Sequence, residues 1–215
     1  MSTRILIVRR MVVIIAAIAS SFVVESARAQ TIIDQWNSVN VPPPPPLKQV
    51  TVDKSTTALL MLDFNEQTCN MQRRPRCIAS IPKVKTLLAA ARTAGLPVVF
   101  SLGGGGKPAD IAKDLAPTVN EPVVSSGLDK FQGTDLEKIL REKGTKTVIV
   151  VGDAANGAVL YTASSAAVRG MKVIVPVDGI SADTLYAEQY TVWHLVNAPV
   201  ISPAVTLTTI DQVTF

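Results

Sequence analysis

The sequence predicts an α/β fold in which a mostly parallel sheet is covered by helices on both faces. Short runs of apolar, β-branched residues alternate with segments whose apolar residues recur at helical spacing. The strand-like runs are apolar throughout, as expected for strands buried on both faces. The connections between these segments are short, which is typical of βαβ units. With 215 residues, the chain is long enough for one domain with a sizeable core.

Residues 1–29 are predicted to be a secretory signal peptide. Three arginines precede the apolar run 11–24, and Ala27-Arg28-Ala29 supplies a small-x-small cleavage site before Gln30. An uncleaved membrane anchor is the alternative, but the run is short for a span. We therefore expect a secreted protein, periplasmic if the source is a Gram-negative bacterium, with no membrane contact after cleavage.

The mature chain is predicted to comprise a Pro-rich N-terminal arm, residues 30–50, and a domain, residues 51–215. Five consecutive prolines at 42–46 favour a stiff, extended connector. Trp36 either pins the arm to the domain or lies at an oligomer contact. Residues 1–29 carry +3 of the chain's net charge of +4, which leaves the rest nearly neutral. A nearly neutral domain binds the phosphate backbone of nucleic acid poorly, so no nucleic-acid partner is predicted.

The first half of the domain begins with an apolar strand, 57–64, which contains Asp63 near its end. A polar loop, 65–76, follows. Apolar residues at helical spacing predict a helix over 81–94, with Pro82 tolerated in its first turn. The remaining predicted elements of this half are a strand at 96–100, a mobile glycine loop at 103–106, a short helix at 109–115 and a strand at 122–124.

In the second half, Thr134 and Glu137 have the spacing of a capping box at the start of a helix. An apolar strand at 147–151 breaks at Gly152 and restarts as an Ala-rich helix over 157–169. Gly170 ends that helix. The remaining predicted elements are a strand at 172–177, a helix at 183–196 and a last short strand at 199–201.

The turn after the 147–151 strand is predicted to be part of a ligand site. A strand that turns tightly into a helix directs free backbone N–H groups and a positive dipole end beyond the sheet edge. Ligands bind at that edge in open parallel sheets. The predicted binding residues here are Ala155, Asn156, Gly157 and Ala158.

Two glycine patterns and the one histidine argue against nucleotide binding, a serine triad and a metal site. The Gly152-x4-Gly157 spacing resembles a phosphate loop, but Ala158 and Val159 stand where Lys and Ser or Thr are needed. The 103–106 loop lacks dinucleotide-binding spacing. His194 is the only histidine, and no Gly-x-Ser-x-Gly elbow exists. We therefore predict no cofactor, no metal site and a structural role for His194.

Asp63 and the two cysteines are further candidates. Burial at a strand end would raise the pKa of Asp63 and make it a proton acceptor; the alternative is an Asp that caps the following loop. Cys69 and Cys77, an even pair in an exported chain, predict one disulfide. The alternative is a reactive thiol at Cys69.

Three segments together resemble the isochorismatase-like cysteine hydrolases. These are Ala-Leu-Leu-Met-Leu-Asp-Phe at 58–64, Phe-Gln-Gly-Thr-Asp-Leu at 131–136, and the strand, helix and next strand of 148–178. The resemblance covers residues 55–203. It implies a three-layer α/β/α sandwich and hydrolysis of small amides, related C–N bonds or vinyl ethers. In that family Asp acts as base, Lys steadies the site, and Cys at a helix N-terminus forms a thioester.

The chain departs from that pattern at two of the three catalytic positions. Ala158 stands where the resemblance places the nucleophilic Cys. Ser125 stands where it places the Lys, and Lys130 could serve only if the loop is rearranged. The metal-binding histidines of the nicotinamidase branch are also missing after Phe100.

Three functions follow as hypotheses. The first is a pseudoenzyme that binds a small polar molecule. The second is a divergent hydrolase that uses Asp63 and a bound water. The third is an oligomeric scaffold, because the last helix carries Tyr186, Tyr190 and Trp193, which suit subunit contacts. A homo-oligomer is expected.

Overall fold

The computed structural model describes residues 30–215, so the predicted signal peptide lies outside the described residues. The chain divides into two units between Pro42 and Pro43. In the first unit, a 3-10 turn spans Trp36–Ser38, and the Trp36 side chain is exposed. Within residues 30–215, no helix combines the length and apolar character that a bilayer span requires.

The second unit is built on a seven-stranded parallel sheet. Its strands are β2 (Thr57–Leu62), β3 (Val98–Leu102), β4 (Val123–Ser125), β5 (Thr147–Asp153), β6 (Lys172–Pro176), β7 (Ile180–Ser181) and β8 (Val205–Thr208). The order is β4-β3-β2-β5-β6-β8, with β7 beside the end of β5. A separate parallel pair joins β1 (Val50–Thr51) to β9 (Val213–Thr214). The predicted α/β fold with a mostly parallel sheet is confirmed.

Among the described residues, four α-helices flank the sheet: α1 (Pro75–Thr93), α2 (Leu136–Glu142), α3 (Leu160–Val168) and α4 (Leu185–Asn197). Successive strand side chains point to opposite faces, so β2 contributes to two separate cores. Ala58, Leu60 and Leu62 pack with residues of α2, α3 and α4. Leu59 and Met61 pack with residues of α1. Both faces of the central strand are therefore dry.

Helix α1 starts earlier than the predicted helix over 81–94. Pro75 occupies the first turn, where its missing N–H has no intrahelical partner to lose, and it favours a helix start there. Cys77 therefore lies in the helix. Pro82 lies in the helix interior rather than in the first turn.

Three other predicted elements are wrong in detail. Thr134 does not form the capping box: its hydroxyl accepts from the Leu136 N–H, and Glu137 pairs with Arg169 instead. The predicted helix at 109–115 is two 3-10 turns, Pro108–Asp110 and Lys113–Leu115. Residues 199–201 form no strand, and the outer strand beside β6 is β8.

Candidate functional site

Asp63 follows the last residue of β2, at the carboxyl edge of the sheet. Its backbone adopts a φ of 55°, a left-handed conformation that Asp tolerates better than most residues. The side chain is buried, and Oδ1 accepts a 2.6 Å hydrogen bond from the Ser101 hydroxyl. Lys130 Nζ lies 2.8 Å from the other oxygen, Oδ2. Both carboxylate oxygens therefore have a donor.

Lys130 is fully buried, although lysine is almost never so unless paired. Besides Asp63, its ammonium group donates to the carbonyls of Gly127 at 2.8 Å and Ser126 at 3.2 Å. The Lys130 N–H donates to Thr162 Oγ1 on α3 at 3.1 Å. The loop before Phe131 thus carries a desolvated positive charge to the end of β2.

Opposing effects act on the pKa of Asp63. Burial raises it, because a desolvated carboxylate is costly to charge. The Lys130 charge and its hydrogen bond act in the other direction, as does the Ser101 hydroxyl. Burial is the largest effect, and the pKa of Asp63 lies above its ordinary value.

In the sequence, Ser125 stands at the position of the family lysine, and Lys130 is the nearby lysine that could take its role. Ser125 ends β4, pairs in register with Leu102 of β3 and is exposed. Lys130 reaches Asp63 from the following loop. In this structure, therefore, the cation beside Asp63 is that of Lys130.

The predicted mobile glycine loop forms a compact turn against Asp63. A Cβ on Gly103 would lie 2.5 Å from Asp63 Oδ2, so no larger residue fits without a shift. Asn65 holds the turn through two hydrogen bonds to the Gly103 backbone, of 3.0 and 3.1 Å. This turn closes one side of the carboxylate.

Gly152 brings the ends of β2 and β5 together. It pairs in register with Leu62 and has a backbone φ of 143°, which residues that carry a side chain rarely adopt. A Cβ at this position would lie 2.2 Å from the Leu62 carbonyl oxygen. Because these strand ends are adjacent, Asp63 and Asp153 lie at neighbouring positions on the carboxyl edge of the sheet.

The segment after β5 is a π-helical turn, Ala155–Val159, that leads into α3. Ala155, Gly157 and Ala158 are buried, whereas Asn156 is exposed. The N–H groups of Gly157 and Val159 both donate to the Ala154 carbonyl, at 2.9 and 3.2 Å. Those two donors are therefore occupied within the segment itself.

The loop that carries Lys130 covers this segment. A Cβ on Gly157 would lie 3.4 Å from Leu128 Cδ2. Thr162, which accepts from the Lys130 N–H, stands one helical turn after Ala158. Asp63 and the 155–158 segment thus share the carboxyl edge of the sheet beneath one loop. A cavity of about 1070 Å³ lies at the opposite edge, where Thr57, Thr147 and Lys172 are among its lining residues.

Sequence reasoning missed a second buried ion pair at this edge. Arg74 Nη1 donates to Asp153 Oδ2 at 2.7 Å, and Arg74 Nε pairs with Asp183. Burial raises the pKa of Asp153 to about 7, and the Arg74 charge opposes that rise. Asp153 carried the same signal as Asp63, a carboxylate that ends an apolar strand. Its partner, however, comes from a distant loop that no local pattern marks.

The predicted disulfide between Cys69 and Cys77 is present, with 5.5 Å between the Cα atoms. Neither sulfur is a free thiol, so Cys69 is not a nucleophile in this structure. His194 lies on α4, where its Nδ1 is 3.4 Å from the Tyr190 hydroxyl. No three of the His, Cys, Asp and Glu side chains within residues 30–215 are grouped to hold a metal ion.

This fold and these strand-end groups define a class of α/β proteins with a parallel sheet and a buried Asp–Lys pair at its carboxyl edge. A family model, the isochorismatase domain, matches residues 57–205. The chain belongs to the isochorismatase family, which confirms the resemblance found in the sequence.

Similar proteins include a secreted isochorismatase effector, Isc1, from Verticillium dahliae, which is 34% identical over 113 residues. That match covers 47% of this chain and 60% of the effector, so the chain spans less than two thirds of the relative's length. An isochorismatase-like hydrolase from Alkaliphilus metalliredigens is 25% identical, with a TM-score of 0.65, over 73% of this chain and 96% of that one. N-carbamoylsarcosine amidase from Thermoplasma acidophilum shares the fold, with 21% identity and a TM-score of 0.62 over 73% and 97% of the two chains.

Proposed function

We propose that this protein binds a small polar molecule at the carboxyl edge of its sheet, without cysteine-type hydrolysis. The observation that carries the proposal is the buried Asp63–Lys130 pair, because the loop that carries Lys130 also packs on the segment of Ala158. A methyl group at 158 cannot attack a carbonyl carbon. The Asp–Lys pair remains able to recognise a ligand, with Ser125 and residues 155–158 as the proposed margin of the site.

The energetics of buried ion pairs support a role in binding. Such pairs stabilise a fold little, because the desolvation of two charges offsets their attraction. A pair of apolar side chains would fill the same space at similar or greater stability. The ammonium donors of Lys130 are taken by Asp63, Gly127 and Ser126, but each Asp63 carboxylate oxygen has one donor only. The carboxylate therefore keeps acceptor lone pairs that an N–H or O–H group of a polar molecule can engage.

The test is ligand binding to the mature protein. Calorimetric titration with a panel of small amides, imides and isochorismate-type vinyl ethers should find a binder that is not turned over. Asp63→Asn and Lys130→Met should each abolish binding. The control is Asp114→Asn, which removes an exposed ion pair to Lys85 and should leave binding unchanged. Binding that survives in both site variants would contradict the proposal.

A divergent hydrolase is the second candidate, because burial raises the pKa of Asp63 and makes it a stronger base. In this mechanism, Asp63 takes a proton from a bound water and the hydroxide attacks the amide carbonyl. The C–N bond then breaks, and the amine leaves with that proton. Turnover of any amide in the panel by the wild type, lost in Asp63→Asn, would establish this function and exclude the pseudoenzyme.

The role of position 158 can be tested directly by restoring a thiol. If the segment has kept the geometry of a nucleophile site, Ala158→Cys should gain amide hydrolysis that iodoacetamide abolishes. Ala163→Cys is the matched control, since Ala163 is also buried but lies farther along α3. Equal activity of the two variants would show that position 158 is not special.

Export is proposed from the predicted signal peptide and from the secreted relative. Intact mass measurement on protein from the native host should give a chain that begins at Gln30. In a Gram-negative host, the protein should fractionate with the periplasm.

The homo-oligomer remains a prediction. Helix α4 exposes Tyr186 and Trp193, and light scattering on a Tyr186→Ser, Trp193→Ser variant would measure their effect on mass.

A further inference from the structure

The disulfide-closed loop carries an arginine whose side chain is almost fully buried. Cys69 and Cys77 close the loop, and Arg74 lies between them as the residue that precedes α1. Its backbone is held inside the loop, where its N–H donates to the Asn70 carbonyl at 2.8 Å and its carbonyl accepts from the Cys77 N–H at 2.9 Å. The disulfide therefore restrains the position from which the guanidinium extends.

The guanidinium reaches the segment that carries Ala158. Arg74 Nη1 donates to Asp153 Oδ2 at 2.7 Å, and Asp153 has no exposed surface. The Ser181 hydroxyl donates to the other Asp153 oxygen at 3.2 Å. Asp153 is the last residue of β5, and Ala154 directly follows it. The point where the 154–158 segment leaves the sheet is thus fixed by an ion pair to a separate loop.

The same guanidinium also reaches the Asp63 side of the site. Arg74 Nη1 lies 3.3 Å from the Thr68 carbonyl, and the Thr68 hydroxyl donates to the Asp63 carbonyl. The Arg74 charge also acts on Asp63, whose pKa it helps to lower against the effect of burial. One side chain thus connects the two strand ends that the proposed site requires.

We propose that Arg74 is the positioning residue that holds Asp63 and the 154–158 segment together, and that the Cys69–Cys77 disulfide keeps it in place. The binding site is then complete only in the oxidised protein, that is, after export from a reducing compartment. The inference rests on the proposed function for the meaning of the site, but its structural content can be measured without a ligand.

The first experiment is hydrogen–deuterium exchange of the oxidised full mature protein, comparing Arg74→Gln with Arg76→Gln. Arg76 is the matched control: it lies two residues farther on, in the first turn of α1, and pairs with Glu188 at 2.6 Å, but its ion pair is more exposed and does not involve Asp153. At pH 8, above the Asp153 pKa of about 7, peptides covering 153–160 and 63–68 of Arg74→Gln should exchange on the order of tenfold faster, because Asp153 is left buried without its cation. Peptides covering β3 should be unchanged in both variants.

Unchanged exchange over 153–160 in Arg74→Gln would overturn the proposal. If that variant does not fold, reduction of the wild type gives a second test. Reduced protein and Cys69→Ser, Cys77→Ser protein should both show the faster exchange over 153–160 while peptides covering β3 stay protected. Equal exchange of oxidised and reduced protein over 153–160 would equally overturn the proposal.

Ligand titration separates this inference from the proposed function. With any molecule from the panel that binds, affinity should fall at least tenfold on reduction and in Arg74→Gln, but not in Arg76→Gln. If no molecule binds while exchange changes as expected, the proposed function fails and the positioning role stands. If a molecule binds equally well to oxidised and reduced protein, the positioning role fails and the proposed function stands.

Discussion

Lys130 Nζ lies 2.8 Å from Asp63 Oδ2, inside the protein and away from water. Asp63 is held by the end of β2 and by the glycine turn, whereas Lys130 is delivered by a loop that is itself bonded to α3. Three separate parts of the chain therefore have to be correctly placed before this ion pair can form.

The pair should show strong thermodynamic coupling. Lys130→Met leaves a buried carboxylate without its cation, and Asp63→Asn leaves a buried ammonium group, so each should lower the free energy of unfolding by about 3 kcal/mol. The double variant should lose much less than the sum of the two, because neither charge remains unpaired. Urea unfolding of the four proteins measures the coupling. Additive losses would mean that the two charges do not interact.

Replacement of Gly152 by Ala should disrupt the edge at which the site is built. The new Cβ meets the Leu62 carbonyl oxygen at 2.2 Å, and the backbone conformation is itself unfavourable for a side chain. We expect a loss of about 3 kcal/mol, from strain and overpacking together. Gly95→Ala is the control, since its Cβ meets no atom within 4 Å, and it should cost about 1 kcal/mol. Denaturant midpoints that shift equally would exclude the steric explanation.

Stability should fall as the pH rises from about 5 to 6.5. Burial raises the pKa of Asp153 to about 7 from an ordinary value of 3.8. In this window the folded state keeps a proton that the unfolded state has lost, so the free energy of unfolding decreases with pH. One retained proton gives a slope of about 1 kcal/mol per pH unit, and the raised pKa of Asp63 acts in the same direction. Asp153→Asn should flatten the slope of unfolding free energy against pH, and the exposed Asp114→Asn should not.

The disulfide should be measurable in its own right. Thiol titration of denatured, unreduced protein should find no free cysteine, and two free thiols would refute the bond. Because the loop spans a sequence separation of 8, loss of the bond in Cys69→Ser, Cys77→Ser should lower the free energy of unfolding by about 2 kcal/mol. Guanidinium unfolding of the oxidised wild type and this variant gives the difference.

Local patterns located one half of the proposed site. Asp63 was identifiable because an apolar strand that ends on a carboxylate is a short-range signal, and the same holds for the small-residue turn after β5. The disulfide was also predictable, from the even number of cysteines in an exported chain. Lys130 was noted only as an alternative to Ser125, because residue spacing does not predict the path that a loop takes between two elements.

Other features depended on contacts across the fold. The capping box at Thr134 had the right spacing, but Glu137 pairs with Arg169, the residue that follows α3. Arg74 was not singled out, because nothing near it in sequence shows that it meets Asp153. The strand predicted at 199–201 does not form, and β8 pairs with β6 in its place. Both segments are short and contain apolar residues, so the sequence alone does not show which of them pairs with β6.

The sequence by itself determined the parallel α/β architecture, the strand-end carboxylate and the methyl group at 158, because hydrophobic periodicity and residue identity are local properties. Only the tertiary structure decided that Lys130 and Arg74 supply the cations beside Asp63 and Asp153. The physical reason is that an ion pair depends on distance and burial, and both are set by how remote segments pack over one edge of the sheet.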